Sequence, residues 1–114
     1  MKGTIKIGNK DVGMVANAAS PFIYRQIFKK DFLAETQKDP IDLALFAEMG
    51  FIMHLQNEKP TQEVLKTSLD DFYVWLEEFD PMDIMNASVT IGQFYMQVRR
   101  QQLELDIEQQ TGSK

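Results

Sequence analysis

Residues Ile41 to Leu55 read I-D-L-A-L-F-A-E-M-G-F-I-M-H-L, and 11 of these 15 residues are apolar. A helix turns about 100° per residue, so the polar side chains of Asp42, Glu48 and His54 point in three directions roughly 120° apart. The segment therefore has no polar face, and a helix that is apolar all round has to be buried on nearly all sides. It is shorter than the roughly 20 apolar residues that span a membrane. We predict that 41–55 is the most buried helix of the fold.

Length and composition favour one globular domain. The chain has 114 residues, of which 44% are apolar and 25% charged, as is typical of soluble domains. We expect a single domain over residues 1–110 and a frayed tail at 111–114. The absence of cysteine excludes disulfides, thiolate nucleophiles and Cys-based zinc sites. The first ten residues lack the apolar core of a signal peptide, so a cytoplasmic location is expected.

Charge is divided unevenly along the chain. Residues 1–30 carry six basic groups and one acid, a net +5, whereas residues 31–114 carry six basic groups and sixteen acids, a net −10. The overall acidity argues against nucleic-acid binding, which depends on Lys and Arg contacts with phosphate. The division could favour head-to-tail contacts between copies. Alternatively, the two halves neutralise each other within one monomer.

Patterning predicts a mainly α fold, with four to five helices around the central helix and a small N-terminal β-hairpin. The hairpin is indicated by alternating residues at 4–7 and 11–15 around Gly8-Asn9-Lys10. Prolines that follow the capping residues Ser20, Asp39 and Asp80 mark helix starts. Ser68 with Asp71 resembles a capping box. The predicted helices are about 21–35, 40–56, 61–66, 68–79 and 81–109.

Two of these helices have predicted apolar stripes. In the first helix, the side chains expected to point inward are those of Phe22, Ile23, Ile27, Phe28 and Phe32. In the helix at 68–79 the expected stripe is Leu69, Phe72, Tyr73, Trp75, Leu76 and Phe79, with Val74 exposed among acids.

The last helix has two apolar stripes, and a surface helix needs only one. The first stripe is Met82, Met85, Val89, Gly92, Met96 and Leu103. The second is Ile84, Ala87, Ile91, Phe94, Tyr95, Val98 and Leu105, beside a polar wedge of Asn86, Thr90, Gln93 and Gln97. Methionine suits adaptable binding surfaces, whereas aromatic and branched residues specify packing better. We therefore predict that the second stripe faces the core and that the first, through Met82, Met85, Val89, Met96 and Leu103, contacts another protein. The two roles could also be reversed.

No catalytic or metal constellation is apparent. His54 is the only histidine, and without a paired nucleophile or further ligands it is interpreted as a structural residue. The acids at 70, 71, 77, 78, 80 and 83 lack the spacing of a calcium loop and are interpreted as a solvated helix face. Tyr24, Arg25, Lys29 and Lys30 form a small basic patch with an expected salt-bridging role. The protein is expected not to be an enzyme and to need no cofactor or metal.

The order of segments resembles the small tail assembly chaperones of long-tailed phages and prophages of Gram-positive bacteria. The segments concerned are Thr4-Ile5-Lys6-Ile7 with Val12, then Tyr24-Arg25 with Phe28 and Asp31, the apolar helix at 41–55, Trp75-Leu76-Glu77-Glu78-Phe79-Asp80, and the closing helix. The resemblance covers about residues 3–100, and its motifs are mostly hydrophobic.

The resemblance implies a non-enzymatic protein that keeps the long, apolar, helical tape measure protein soluble until the tail tube assembles. It also implies partners: copies of the chain, and a longer frameshifted product that shares the N-terminal domain. Such proteins work in the host bacterial cytoplasm and are absent from the mature virion. Family members can be nearly all helical, so the resemblance argues against the predicted hairpin. The alternative function is a small acidic adaptor or inhibitor that binds one protein partner.

Overall fold

The structure, a computed structural model, describes the backbone of residues 1–112 and the side chains of residues 1–97. A β-hairpin is followed by six helices in the described residues. In chain order the elements are β1 (Lys2–Ile7), β2 (Lys10–Val15), α1 (Ser20–Phe28), α2 (Phe32–Thr36), α3 (Ala44–Glu58), α4 (Thr61–Val64), α5 (Leu69–Leu76) and α6 (Pro81–Gly112). The mainly α prediction with an N-terminal hairpin is confirmed, and the helices outnumber the predicted four to five.

The hairpin is antiparallel, with Ile7 paired to Lys10 and Lys2 to Val15. Its two-residue turn begins at Gly8, whose φ of 65° favours a residue without a Cβ. Alternation places four apolar side chains of the hairpin in the core, namely those of Ile5, Ile7, Val12 and Met14. This face packs on α3 and α6, because two strands alone cannot bury it.

Helix α3 is the centre of the fold and contacts β2, α1, α2, α4, α5 and α6. Its buried residues lie on all sides of the helix and are Leu45, Ala47, Met49, Gly50, Phe51, Ile52, Met53 and Leu55. The predicted burial is therefore confirmed for residues 45–55, whereas residues 41–44 are exposed and precede or begin the helix. The predicted start at Pro40 is wrong. The Asp39–Pro40 bond is cis and precedes the helix, while the Asp42 carboxylate accepts the Ala44 N–H at 3.0 Å. Asp42, and not Asp39, satisfies an amide at this helix start.

The predicted helix over 21–35 is two helices. Lys29 ends α1 in a left-handed conformation, φ 60°, and its N–H donates to the Arg25 carbonyl at 2.9 Å. Asp31 then begins α2 by accepting the Leu33 N–H at 3.0 Å. Phe32 is buried as predicted. Phe22, predicted to point inward, is 72% exposed, because it lies on the side of α1 opposite the buried residues Ile23, Tyr24, Ile27 and Phe28.

Helix α5 begins as predicted, because the Asp71 carboxylate accepts the Ser68 N–H at 2.9 Å. Phe72 and Trp75 are buried and Val74 is exposed, in agreement with the predicted stripe. Leu69 and Tyr73 are exposed, so the stripe is narrower than predicted. The helix ends at Leu76 rather than Phe79, although Leu76 and Phe79 still pack against the core.

The prolines mark helix starts less uniformly than predicted. Pro21 and Pro81 lie in the first turns of α1 and α6, and Pro60 directly precedes α4. Ser20 is already inside α1 and does not cap it. Its hydroxyl instead donates to Gln56 Oε1 on α3 at 2.7 Å. This bond ties the start of α1 to the central helix.

Helix α6 has 32 residues and reaches Gly112, beyond the predicted end at Gln109. The expected frayed tail at 111–114 therefore overlaps this helix, while Ser113 and Lys114 lie outside the described residues. None of the helices in the described residues has the length and hydropathy required to cross a membrane.

Candidate protein-interaction surface

One face of α6 is part of the hydrophobic core. Ala87 and Ile91 are buried there, and Ile84, Phe94 and Tyr95 pack against the same cluster. The helix lies close to α3: a Cβ added at Gly50 would be 2.7 Å from Ile91 Cδ1. The core-facing side of α6, as far as its side chains are described, is therefore the stripe of branched and aromatic residues. Val98 and Leu105, assigned to the same stripe, lie outside the described side chains.

A different face of α6 exposes four large apolar side chains. Their exposed fractions lie between 47% and 63%, and we call them the methionine face: Met82, Met85, Val89 and Met96. The spacing of three, four and seven residues matches the seam of a helix that packs on another helix. Gly92, placed in this stripe by sequence, is instead buried against Phe46. Leu103 lies outside the described side chains.

The methionine face is an apolar surface on a helix that already has a core face. An exposed contiguous apolar strip typically marks an interaction site, and flexible thioether side chains can adapt to different partner surfaces. The polar wedge of Asn86, Thr90, Gln93 and Gln97 is exposed beside it. The arrangement is suited to binding an apolar helix. That the face binds a partner remains a prediction.

A second apolar surface lies where α1, α2 and α6 meet. It is a cleft of about 420 Å³, and we call it the α1–α2 cleft; its lining includes Pro21, Phe22, Arg25, Leu33, Tyr95 and Met96. Phe22 and Leu33 are exposed, while the Tyr95 ring packs edge-on against buried Phe32 with 4.9 Å between the ring centroids. Met96 belongs to both surfaces, so the cleft adjoins the methionine face.

Sequence analysis missed this cleft because it treated 21–35 as one helix. The predicted stripe also included Phe22, whereas the helical period of α1 puts Phe22 opposite Ile23 and Ile27, on the rim of the cleft. Asp31 was the available signal, since an aspartate followed by Phe32 and Leu33 is a common start of a new helix.

The basic patch predicted around α1 is divided by the fold. Tyr24 is fully buried, and its hydroxyl donates to Glu48 Oε1 at 2.7 Å. Lys30 Nζ lies 3.2 Å from the same oxygen, so Lys30 has the salt-bridging role predicted for the patch. Burial, reinforced by the hydrogen bond to Glu48, raises the pKa of Tyr24 well above its ordinary value near 10. Arg25 and Lys29 remain on the surface.

His54 is half-buried between secondary structure elements. Its Nδ1 lies 2.9 Å from the Gly13 carbonyl oxygen, and because a carbonyl only accepts, Nδ1 carries the proton. The ring stacks on Trp75 with 6.2 Å between centroids. The histidine thus joins α3, β2 and α5, in agreement with the predicted structural role.

One of the acids near the hairpin turn, Glu78, is paired with a lysine. Lys10 Nζ lies 3.4 Å from Glu78 Oε1 and 5.3 Å from the centre of the Phe79 ring. Asp70, Asp71, Glu77 and Glu78 are exposed. Within the described part of the chain, no three His, Cys, Asp or Glu residues are grouped so that they could hold a metal ion.

Comparison of the chain with models of protein families, with curated proteins and with solved structures found no match. The functional argument therefore depends on the two surfaces themselves and on the resemblance described above.

Proposed function

We propose that the protein is a non-enzymatic tail assembly chaperone that binds the tape measure protein and keeps it soluble until the tail tube assembles. The observation that carries the proposal is the methionine face, which presents Met82, Met85, Val89 and Met96 to solvent on a helix whose core contacts are already made. The resemblance of the segment order to tail assembly chaperones supplies the class of partner.

The proposed client fits the geometry of this face. A tape measure protein is expected to be long, helical and apolar, and such helices are recognised by grooves that read apolar residues at helical spacing. Met82 and Met96 are 14 residues apart, which is about 21 Å along a helix. A client helix lying along the face would therefore bury about four turns. Because methionine adapts to varied side chains, one face could accept successive segments of a long client.

The proposal also covers the location and the partners of the protein. The protein would act in the cytoplasm of a bacterial host, together with its own copies and a longer frameshifted product, and would be absent from the mature virion. Chemistry is not required of it, since binding alone prevents an apolar helix from aggregating.

The test is co-expression with the tape measure protein of the same genome. Replacing Met85 and Val89 with Asp places two charges, one helical turn apart, on the methionine face. We expect this double variant to lose co-purification with the client and to leave the client insoluble. Both positions are about half exposed, so the helical circular dichroism should be unchanged.

The matched control is the double variant Asn86→Asp with Thr90→Asp. These residues have the same spacing on the same helix and are exposed in the polar wedge. The control adds the same charge and should still bind. Equal binding by both variants would show that the methionine face is not the client site, and unfolding of the Met85–Val89 variant would assign that stripe to the core.

A further inference from the structure

The α1–α2 cleft combines an apolar lining with positive charge that has no partner among the described side chains. Phe22 and Leu33 are exposed at the cleft, and Arg25 lines it. Lys29 is exposed one turn further along α1. The ion pairs between described side chains all involve other cations, so Arg25 and Lys29 are left without a counter-charge in this part of the chain.

The acid on the wall of the cleft has a different role. Asp31 lines the cleft, but its carboxylate accepts the N–H groups of Leu33 at 3.0 Å and Ala34 at 3.5 Å, which holds the start of α2. The guanidinium of Arg25 is therefore available to a ligand, and a carboxylate can bind it through two parallel hydrogen bonds. A complementary ligand carries a carboxylate beside an apolar side chain.

The cleft lies at one end of the methionine face. Of the described α6 side chains, those of Tyr95 and Met96 line the cleft, and Met96 is also the last described member of the face. A helix that covers Val89 and Met96 therefore reaches the edge of the cleft, and a side chain from its final turn can enter it. One bound helix can contact both surfaces at once.

The size and lining of the cleft suit a large apolar side chain. Its volume of about 420 Å³ is at the lower end of the range for ligand pockets, about 300–1,000 Å³, so it accepts side chains rather than a whole helix. Buried Phe32 lines it together with exposed Phe22 and Leu33. Aromatic rings pack edge-on or offset against other rings and against methionine sulfur, which favours an aromatic side chain as the occupant.

We propose that the α1–α2 cleft is a second subsite for the helix bound on the methionine face, and that it binds an aromatic side chain together with a neighbouring carboxylate. The inference rests on the proposed function, because the methionine face supplies the helix that reaches the cleft. Phe22 and Leu33 contact the aromatic ring, and Arg25 pairs with the carboxylate. Among apolar helical segments, the protein thereby selects those that end in an aromatic residue with an acid one turn away. Because only one end of such a segment fits the cleft, the contact also fixes the direction in which the client lies on α6.

The experiment uses the full chain and three synthetic helical peptides as probes. All three peptides carry the same leucine seam of about four turns, which ends in a phenylalanine. They differ only in the residue one turn beyond the phenylalanine, which is Glu, Gln or Lys. Fluorescence anisotropy measures the Kd of each peptide. The unmodified protein should bind the Glu peptide about fivefold more tightly than the Gln peptide, the gain expected of one exposed ion pair, and should bind the Lys peptide most weakly. This preference should decrease as salt is raised.

Substitutions at Arg25 should change the preference among the peptides. Arg25→Gln should bind the Glu and Gln peptides with the same Kd to within about twofold, and Arg25→Glu should bind the Lys peptide more tightly than the Glu peptide. Arg25 is exposed, so the helical circular dichroism of both variants should be unchanged. The matched controls are Lys66→Gln and Lys66→Glu, which make the same charge changes at an exposed residue outside the cleft lining. Both controls should keep the preference of the unmodified protein.

The methionine face and the cleft fail this test in different ways. The double variant Met85→Asp with Val89→Asp should bind all three peptides more weakly by a similar factor, so the preference is kept while the affinity falls. Unchanged binding by this variant would overturn the methionine face as the client site. Equal affinity of the unmodified protein for the three peptides, or a preference that persists in Arg25→Gln, would overturn the cleft as a subsite. Failure of the unmodified protein to bind any of the peptides would overturn both.

Light scattering without peptide tests whether a second copy of the chain occupies the cleft instead. At equal concentration, Arg25→Gln and the unmodified protein should have the same mass, because the proposed occupant is the client. A different mass for the variant, together with an unchanged preference among the peptides, would assign the cleft to a second copy and overturn the proposal.

Discussion

Three polar residues of the 41–55 segment each have a hydrogen-bonding partner in the fold. Asp42 accepts an N–H at the start of α3, Glu48 accepts from Tyr24 and Lys30, and His54 bonds the Gly13 carbonyl. The sequence predicted that these residues would be surrounded by apolar ones and that His54 would be structural. It could not predict the partners, because Glu48 and Tyr24 are 24 residues apart and His54 and Gly13 are 41 apart.

Tyr24 should make stability sensitive to alkaline pH. Its folded-state pKa lies above the unfolded value near 10, so the folded state holds the proton more tightly. This contribution to stability is complete below about pH 10 and decreases as the pH rises further, since the unfolded state then releases the proton first. Denaturant unfolding at pH 8 and at pH 11 should show a larger loss for the unmodified protein than for Tyr24→Phe. An equal loss in both proteins would mean that Tyr24 is not responsible.

The helices α3 and α6 approach each other through two glycines. Ile91 of α6 lies over Gly50 of α3, and Phe46 of α3 lies over Gly92 of α6, with the nearest atoms 2.7 Å and 3.1 Å from an added Cβ. Hydrophobic periodicity predicted both helices and two apolar stripes on α6, and the residue types of the stripes, rather than their period, favoured the one that faces inward. It placed Gly92 among exposed residues, because a glycine adds no side chain to the pattern and its neighbour is known only from the packing.

The Gly50 contact predicts a non-additive pair of substitutions. Gly50→Ala should destabilise the protein, because overpacking costs roughly 1–3 kcal/mol and exceeds the helix-propensity gain of at most about 1 kcal/mol. Ile91→Val removes the Cδ1 atom that the new methyl group would meet. Gly50→Ala should therefore cost at least about 0.5 kcal/mol less in the Ile91→Val background. Urea unfolding of the four proteins measures this difference, and additive effects would argue against the contact.

At the scale of the whole molecule, the buried side chains form one cluster that extends from Ile5 in β1 to Ile91 in α6. The sequence predicted the central helix and the hairpin because both have strong local patterns. It did not predict the α1–α2 cleft, which exists only because three elements meet. A surface that forms where several elements meet depends on contacts between residues far apart in the sequence, so local sequence patterns predict it poorly. The α1–α2 cleft is a candidate site of this kind.

The extent of the core cluster predicts that residues 1–97 fold independently of the rest of the chain. A variant that ends at Gln97 retains every residue of the described core cluster. Its melting temperature should be within about 4 °C of the full chain, the shift expected from roughly 1 kcal/mol or less in a domain of this size. Calorimetry measures this. A much larger decrease would mean that residues after 97 pack on the body of the protein.

Trp75 provides the molecule with an optical probe at one defined position. It is the only tryptophan, it is buried, and its ring contacts Phe51 and His54 of α3, Phe72 of its own helix, and Phe79. Emission from an indole shifts to longer wavelength when water reaches it, so the tryptophan emission of this protein reports the junction of α3, α5 and Phe79. Surface variants at Met85 or Phe22 should leave the emission maximum unchanged. A change in that maximum would identify a variant whose interior has been altered and whose binding data describe a different structure.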